Sequence, residues 1–252
     1  MKTAIIAEKP SVAREIAAIV GATAKKDGYI QGNGYIVTWA FGHLVGLAMP
    51  DEYGFTGFSR ERLPIMPEQF ILRPRQVKGE KGYAPDAGAL KQLNIIKEVF
   101  DKCDKIIVAT DAGREGELIF RYIYDYLKCS KPFDRLWISS LTDKAIREGL
   151  QNLKEGKNYD NLFYAAKARS EADWLVGINA SQALSIVAGR GTFSLGRVQT
   201  PTLAMICKRY WEYKNFVPVP YWQVRLQTEH SSSHIIVVLM MIFTRPDDLN
   251  PV

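Results

Sequence analysis

Residues 104–127 read DKIIVATDAGREGELIFRYIYDYL, and this stretch constrains the fold more than any other. Ile106, Ile107 and Val108 form a short β-branched run, which predicts a buried strand of a parallel sheet. The run stops at Thr110-Asp111, and Ala112-Gly113 turns the chain. From Glu115 onward Leu118, Ile119, Tyr122, Ile123 and Tyr126 recur at helical spacing, so an amphipathic helix follows. In open α/β sheets ligands bind beyond the carboxyl ends of the strands, which makes Asp111, Arg114, Glu115 and Glu117 candidates for chemistry. Three carboxylates within seven residues repel one another unless a cation joins them. An oxygen-only set with no nearby His or Cys favours magnesium over zinc. Taken alone, the cluster is better explained by acids at the positive end of a helix and a turn residue before it. A second cluster changes that balance.

Residues 3–7 (TAIIA) predict another short buried strand, followed at once by Glu8-Lys9-Pro10-Ser11. Pro10 suits the first turn of a helix, Val12, Ile16, Ile19 and Val20 mark its apolar stripe, and Gly21 is its stop. The pattern of strand, charged residues and helix thus occurs twice. Parallel strands end on one edge of a sheet, so Glu8 and Asp111 are expected to converge. Residues 28–40 predict a hairpin turning at Asn33-Gly34, with His43 in the loop after it. Residues 50–85 read as a long loop rich in Pro, Gly and aromatics, with six basic and three acidic residues between Arg60 and Lys81. A helix over 88–100 leads into the central strand. A strand over 135–138, Thr142 as N-cap and a helix over 143–153 follow. This order predicts an α/β domain with a largely parallel sheet flanked by helices, covering 1–155.

Beyond Asn158 the pattern becomes long helices, about 161–187 and 196–213, forming a mainly helical partial domain over 156–228. Seven basic residues against three acidic ones lie between Lys167 and Lys214. Trp174 and Trp211 can stack on bases or pack, and packing is the commoner use of a helical Trp. Ser194-Leu195-Gly196-Arg197-Val198-Gln199-Thr200-Pro201 sets hydroxyls, an amide, an Arg and backbone N–H groups at a helix start, which suits a phosphate backbone. A strand over 220–228 and an atypical tail over 229–252 end the sequence.

The chain has 252 residues and a formal charge of +6, which favours a polyanionic partner. Three cysteines without metal-ligand spacing fit a reducing cytoplasm. The start lacks a signal-peptide pattern and the longest apolar run, 235–243, is too short to span a bilayer, so no membrane is expected.

The motifs AEKPS at 7–11, ATDAGREGE at 109–117 and SLGRVQTP at 194–201 together resemble type IA DNA topoisomerases, on the topoisomerase III side. The first two resemble the Toprim metal-binding motifs, and the third the DNA-contacting motif of the adjacent helical domain. The resemblance implies that Glu8 is a metal ligand and general acid, and that Lys9 stabilises charge on the scissile phosphate. It implies that Asp111 and Glu115, with Glu8, hold Mg2+. It also implies contacts to single-stranded DNA from His43, Arg169, Asp173, Ser194, Gly196, Arg197, Gln199 and Thr200, and it calls for no protein partner. Gly113 stands where the family's Asp-x-Asp-x-Glu pattern has its middle acid, and Glu117 is a substitute to weigh. None of the twelve tyrosines lies in the family's active-site context, so the chain alone is expected to bind DNA without relaxing it. The tail from His230 is what termination or a frameshift in a topoisomerase gene would produce. The alternatives are a free-standing Toprim nuclease and a non-catalytic DNA-binding partner of a full-length topoisomerase.

Overall fold

The computed structural model describes residues 2–79, 82–219, 222–230 and 233–243. In chain order the elements are β1 Thr3–Ala7, α1 Pro10–Val20, β2 Ala24–Lys26, β3 Tyr29–Gly32, β4 Tyr35–Trp39, β5 Val45–Leu47, β6 Leu72–Pro74, β7 Gln76–Gly79 and β8 Gly82–Pro85. Then come α2 Ala87–Asp101, β9 Lys105–Ala109, α3 Arg114–Tyr126, β10 Phe133–Arg135, α4 Asp143–Gln151, β11 Lys154–Glu155, α5 Asp160–Ala188, α6 Gln199–Lys214, β12 Trp222–His230 and β13 Ser233–Phe243. By its contacts the chain falls into two units, Met1–Arg197 and Val198–Val252, and each is described by itself.

The first unit is built on a seven-stranded sheet of order β11-β10-β9-β1-β4-β3-β2. The four central strands β10, β9, β1 and β4 run parallel, while β3, β2 and β11 are antiparallel additions at the two edges. Strand alternation divides the core in two. Ala4 and Ile6 of β1 face one side with Ile106 and Val108 of β9, under α2, α3 and the start of α5. Ile5 and Ala7 face the other side with Ile107 and Ala109, under α1 and α4. Strands covered on both faces need continuous apolar runs, which is why TAIIA and KIIVA carry so little polarity. Each fully buried Ile here contributes roughly 1.5–3 kcal/mol.

The expected hairpin turns at Asn33 and Gly34, both with positive φ, as a tight turn between twisted strands requires. Three sequence expectations shift. The strand expected at 135–138 lies at Phe133–Arg135, because Arg135 pairs in register with Val108 and the chain leaves the sheet after it. The helix expected from 196 starts at Gln199, after an irregular stretch bonded to α5. The long loop 50–85 carries two short 3-10 turns, the β5–β6 pair and the β7–β8 hairpin. Two residues of α5 hold this segment. Trp174 donates Nε1–H to the Ala48 carbonyl at 2.9 Å and packs edge-on against Tyr53 and Phe70, so it serves packing. Asn179 grips the Ile65 main chain, accepting from its N–H at 2.6 Å and donating to its carbonyl at 3.0 Å.

In the second unit α6 is exposed along its length, Trp211 included, and β12 and β13 form an antiparallel pair. Residues 244–252, the end of the expected tail, lie outside the described residues, as do 220–221 and 231–232.

Candidate metal and nucleic-acid site

The register of the parallel strands decides where the acids stand. Ala7 of β1 lies opposite Ala109 of β9, so Glu8 and the Thr110-Asp111 turn leave the sheet side by side. The Asp111 N–H donates to Glu8 Oε2 at 3.2 Å, and Lys9 Nζ lies 3.3 Å from Asp111 Oδ2. Lys9 and Asp111 are each 56% exposed, so this trio is open to a ligand and its pairing is solvent-screened.

Glu115, in the first turn of α3, lies toward different partners, His43 and Arg169. Its Oε2 is 3.5 Å from His43 Nε2, and its Oε1 is 3.7 Å from Arg169 Nη1 on α5. Arg169 also approaches Asp173 one turn along, at 3.9 Å. Asp173 receives both arms of Arg197, Nε at 2.6 Å and Nη2 at 3.1 Å. Arg197's hydrogen bonds hold the Asp173 carboxyl below the usual carboxylate range, and Asp173 in turn raises the guanidinium's value. His43, Glu115, Arg169, Asp173 and Arg197 therefore form one chain of contacts along α5.

Two serines one turn apart on α5 fix the stretch before Arg197. Ser185 Oγ accepts from the Phe193 N–H and Ser181 Oγ from the Leu195 N–H, both at 2.8 Å. Ser194 and Gly196 lie in this stretch, Ser194 exposed and Gly196 half-buried. Gln199 and Thr200 belong to the second unit, exposed in the first turn of α6.

Glu117 is not available as a substitute ligand. It is fully buried and bonded to Arg121 and Arg135, because its place in the helical repeat turns it under the sheet edge. Among the described residues no three His, Cys, Asp or Glu come together as a metal-holding group. Glu8 and Asp111 still fit magnesium, which takes one or two carboxylates and keeps several waters. Glu115 stands with His43 and Arg169 instead of completing a trio.

Sequence reasoning missed Gly116 and Arg135. A Cβ on Gly116 would lie 2.1 Å from the Asp111 carbonyl oxygen, so α3 can approach the turn this closely because that position is Gly. Arg135 carries no sequence signal beyond a charge beside Asp134 at the start of the apolar Leu136-Trp137-Ile138 run.

Residues 3–141 match the Toprim domain family, and residues 157–241 match the DNA topoisomerase family. The chain belongs to the Toprim family. It is 50% identical over 226 residues to DNA topoisomerase 3 of Bacillus licheniformis, covering 89% of this chain and 30% of that protein. It is 49% identical over 228 residues to DNA topoisomerase 3 of Bacillus subtilis, with the same coverage. Among solved structures, full-length topoisomerase I from Thermotoga maritima matches with a TM-score of 0.55 and 25% identity, over 98% of this chain and 36% of that one. The chain thus spans about a third of these relatives' length. The matched residues take in a Toprim domain and a stretch similar to part of the DNA topoisomerase domain. Among the described residues no helix is long and apolar enough to cross a membrane.

Proposed function

We propose that this chain supplies the metal- and phosphate-handling side of a type IA topoisomerase site, acting on single-stranded DNA. The observation that carries this is the meeting of Glu8, Lys9 and Asp111 at the ends of two adjacent parallel strands. Glu8 and Asp111 would hold magnesium, with water filling most of its shell and Glu115 close by in sequence. When bound, the ion supplies positive charge that keeps a cleaved backbone in place for resealing. Lys9 would stabilise the charge that develops on the scissile phosphate, and Glu8 would give a proton to the leaving 3′-oxygen. A tyrosine nucleophile from elsewhere in the whole enzyme would make the attack.

His43, Arg169 and Arg197, with Ser194 and Gly196, would bind backbone phosphates, and Asp173 would keep the two arginines aligned until a phosphate arrives; Gln199 and Thr200 of the second unit would also bind phosphates. Free cysteines at 103, 129 and 207 are consistent with a cytoplasmic setting. The domains would be Toprim over 1–155, the start of the helical DNA-binding region over 156–228, and a separate tail from 229.

Magnesium calorimetry on the chain and on Glu8→Gln and Asp111→Asn tests the metal reading, with loss of affinity expected in both. Equal affinity in all three proteins would leave the acids with a purely structural role. Single-stranded DNA binding followed across salt tests the phosphate contacts.

A further inference from the structure

The Asp111 turn is exposed, yet beneath it lies a buried ion pair that the proposed chemistry does not use. Arg135, the last residue of β10, and Glu117, in the first turns of α3, are both fully buried and meet with Nε 3.0 Å from Oε2. The other two guanidinium nitrogens both donate to main-chain carbonyls. Nη1 donates to Val108 at 3.0 Å, Thr110 at 2.7 Å and Leu136 at 3.1 Å, and Nη2 donates to Asp111 at 2.7 Å. The other Glu117 oxygen accepts from Arg121 Nε at 2.9 Å. Arg121 reaches on to the Gly156 carbonyl and to Asp160 at the start of α5. Thr110 Oγ1 closes the turn from above by donating to the Gly116 carbonyl at 2.7 Å.

A buried ion pair is a poor source of net stability, because desolvation offsets most of its attraction. A planar fork that bonds several carbonyls at once is a good way to fix direction. Two of the four carbonyls held by Arg135 belong to Thr110 and Asp111, the residues that carry the candidate ligand out of the sheet.

We propose that Arg135 is a positioning residue. With Glu117 as its counter-ion it locks the Thr110 and Asp111 carbonyls, and so aims the Asp111 carboxylate, and through the Asp111 N–H the Glu8 carboxylate, toward one ion. Arg121 and Asp160 tie the same bracket to α5, which carries Arg169 and Asp173. The inference rests on the metal reading above for what Asp111 is aimed at, and on geometry alone for the bracket.

The test uses the whole chain, with Arg135→Lys, Glu117→Gln and Asp111→Asn. Lysine keeps a charge for Glu117 but cannot hold four carbonyls. In Arg135→Lys, amide hydrogen exchange at 110–113 should rise roughly tenfold or more, with β1 and α1 unchanged. Magnesium affinity should fall by about three- to tenfold, the effect of one or two lost hydrogen bonds on ligand aim. Glu117→Gln should move both readouts in the same direction by less. Exchange that rises equally across β1, α1 and the turn would mean general destabilisation and would overturn the proposal, as would no change at the turn. If neither variant folds, the parent decides. The Arg135 guanidinium N–H protons should exchange roughly tenfold slower than those of the exposed Arg60, and equal rates overturn the bracket. Unchanged affinity in Asp111→Asn overturns the metal reading alone, and the exchange arm still decides the role of Arg135.

Discussion

Gly113 offers a way to build into the site rather than remove from it. It is the N-cap residue of α3, with φ −178° and ψ 175° and no side-chain cap. A Cβ there would meet nothing within 4 Å. This is extended backbone that any residue adopts, so Gly113→Asp brings neither strain nor clash. Fewer unfolded conformations should favour the variant by about 0.4–1 kcal/mol. An Asp cap exceeds Gly by a few tenths. The helix dipole adds about 0.3–1 kcal/mol. Against this stands repulsion from Asp111 and Glu115, about 1 kcal/mol at 4 Å in bulk water and ~4 kcal/mol in the medium near a protein surface. Lys9 beside Asp111, and Arg169 beside Glu115, reduce that repulsion. Without metal the two sides come close to cancelling, which corresponds to a Tm within about 4 °C of the parent. With magnesium the repulsion becomes attraction and a third carboxylate replaces a water, so affinity should rise roughly tenfold or more. Calorimetry with thermal unfolding, with and without magnesium, reads both quantities. Unchanged affinity would show that the ion does not sit before α3. A Tm drop above about 8 °C without magnesium would show that position 113 is not open.

Gly116→Ala should cost stability at or above the ~1–3 kcal/mol typical of overpacking, since its Cβ would lie 2.1 Å from the Asp111 oxygen. A denaturation midpoint equal to the parent's would rule out that close approach. Arg197→Ala should weaken single-stranded DNA binding for all sequences alike and flatten the log affinity against log salt slope by about 0.7. A sequence-selective loss would contradict a phosphate contact. Because Asp173 has a depressed folded-state value, the Arg197 pairing is fully present above the unfolded value near ~3.9 and is lost as pH falls through the lower folded value. Carboxyl NMR should therefore show Asp173 ionised from pH 7 to 5, and protonation within that window would refute the pairing.

The sheet was legible because its central strands are covered on both faces. TAIIA at 3–7 matched the strand at Thr3–Ala7, and the two strand–acid–helix units proved adjacent and parallel. The caps were equally legible, with Pro10 opening α1 and Thr142 Oγ1 accepting from the Ala145 N–H at the start of α4. Short edge strands were not. β2 (Ala24–Lys26) is wholly exposed and β11 (Lys154–Glu155) has two residues, so neither carries an apolar alternation to detect. The 50–85 segment lacks periodicity because its order comes from Trp174 and Asn179, more than a hundred residues away.

At the site, the three motifs and the resemblance they carry gave the charged residues but not what supports them. A charge inside a strand is ordinarily read as facing solvent, and by that rule Arg135 would belong on the surface. Its burial follows from where its neighbour strand stops. β9 ends at Ala109 while β10 ends opposite Val108, so the Thr110 and Asp111 carbonyls emerge where the ladder gives out. Buried carbonyls need donors, and no side chain offers more than guanidinium, with five N–H groups in one plane. Placing that charge under the sheet edge then requires a buried carboxylate, which Glu117 supplies from the helix that the same turn begins. A strand that ends on a ligand-bearing turn therefore demands donors below it. The choice of Arg135 to supply them is set by β10 being next in the sheet, which is a fact of topology rather than of local sequence.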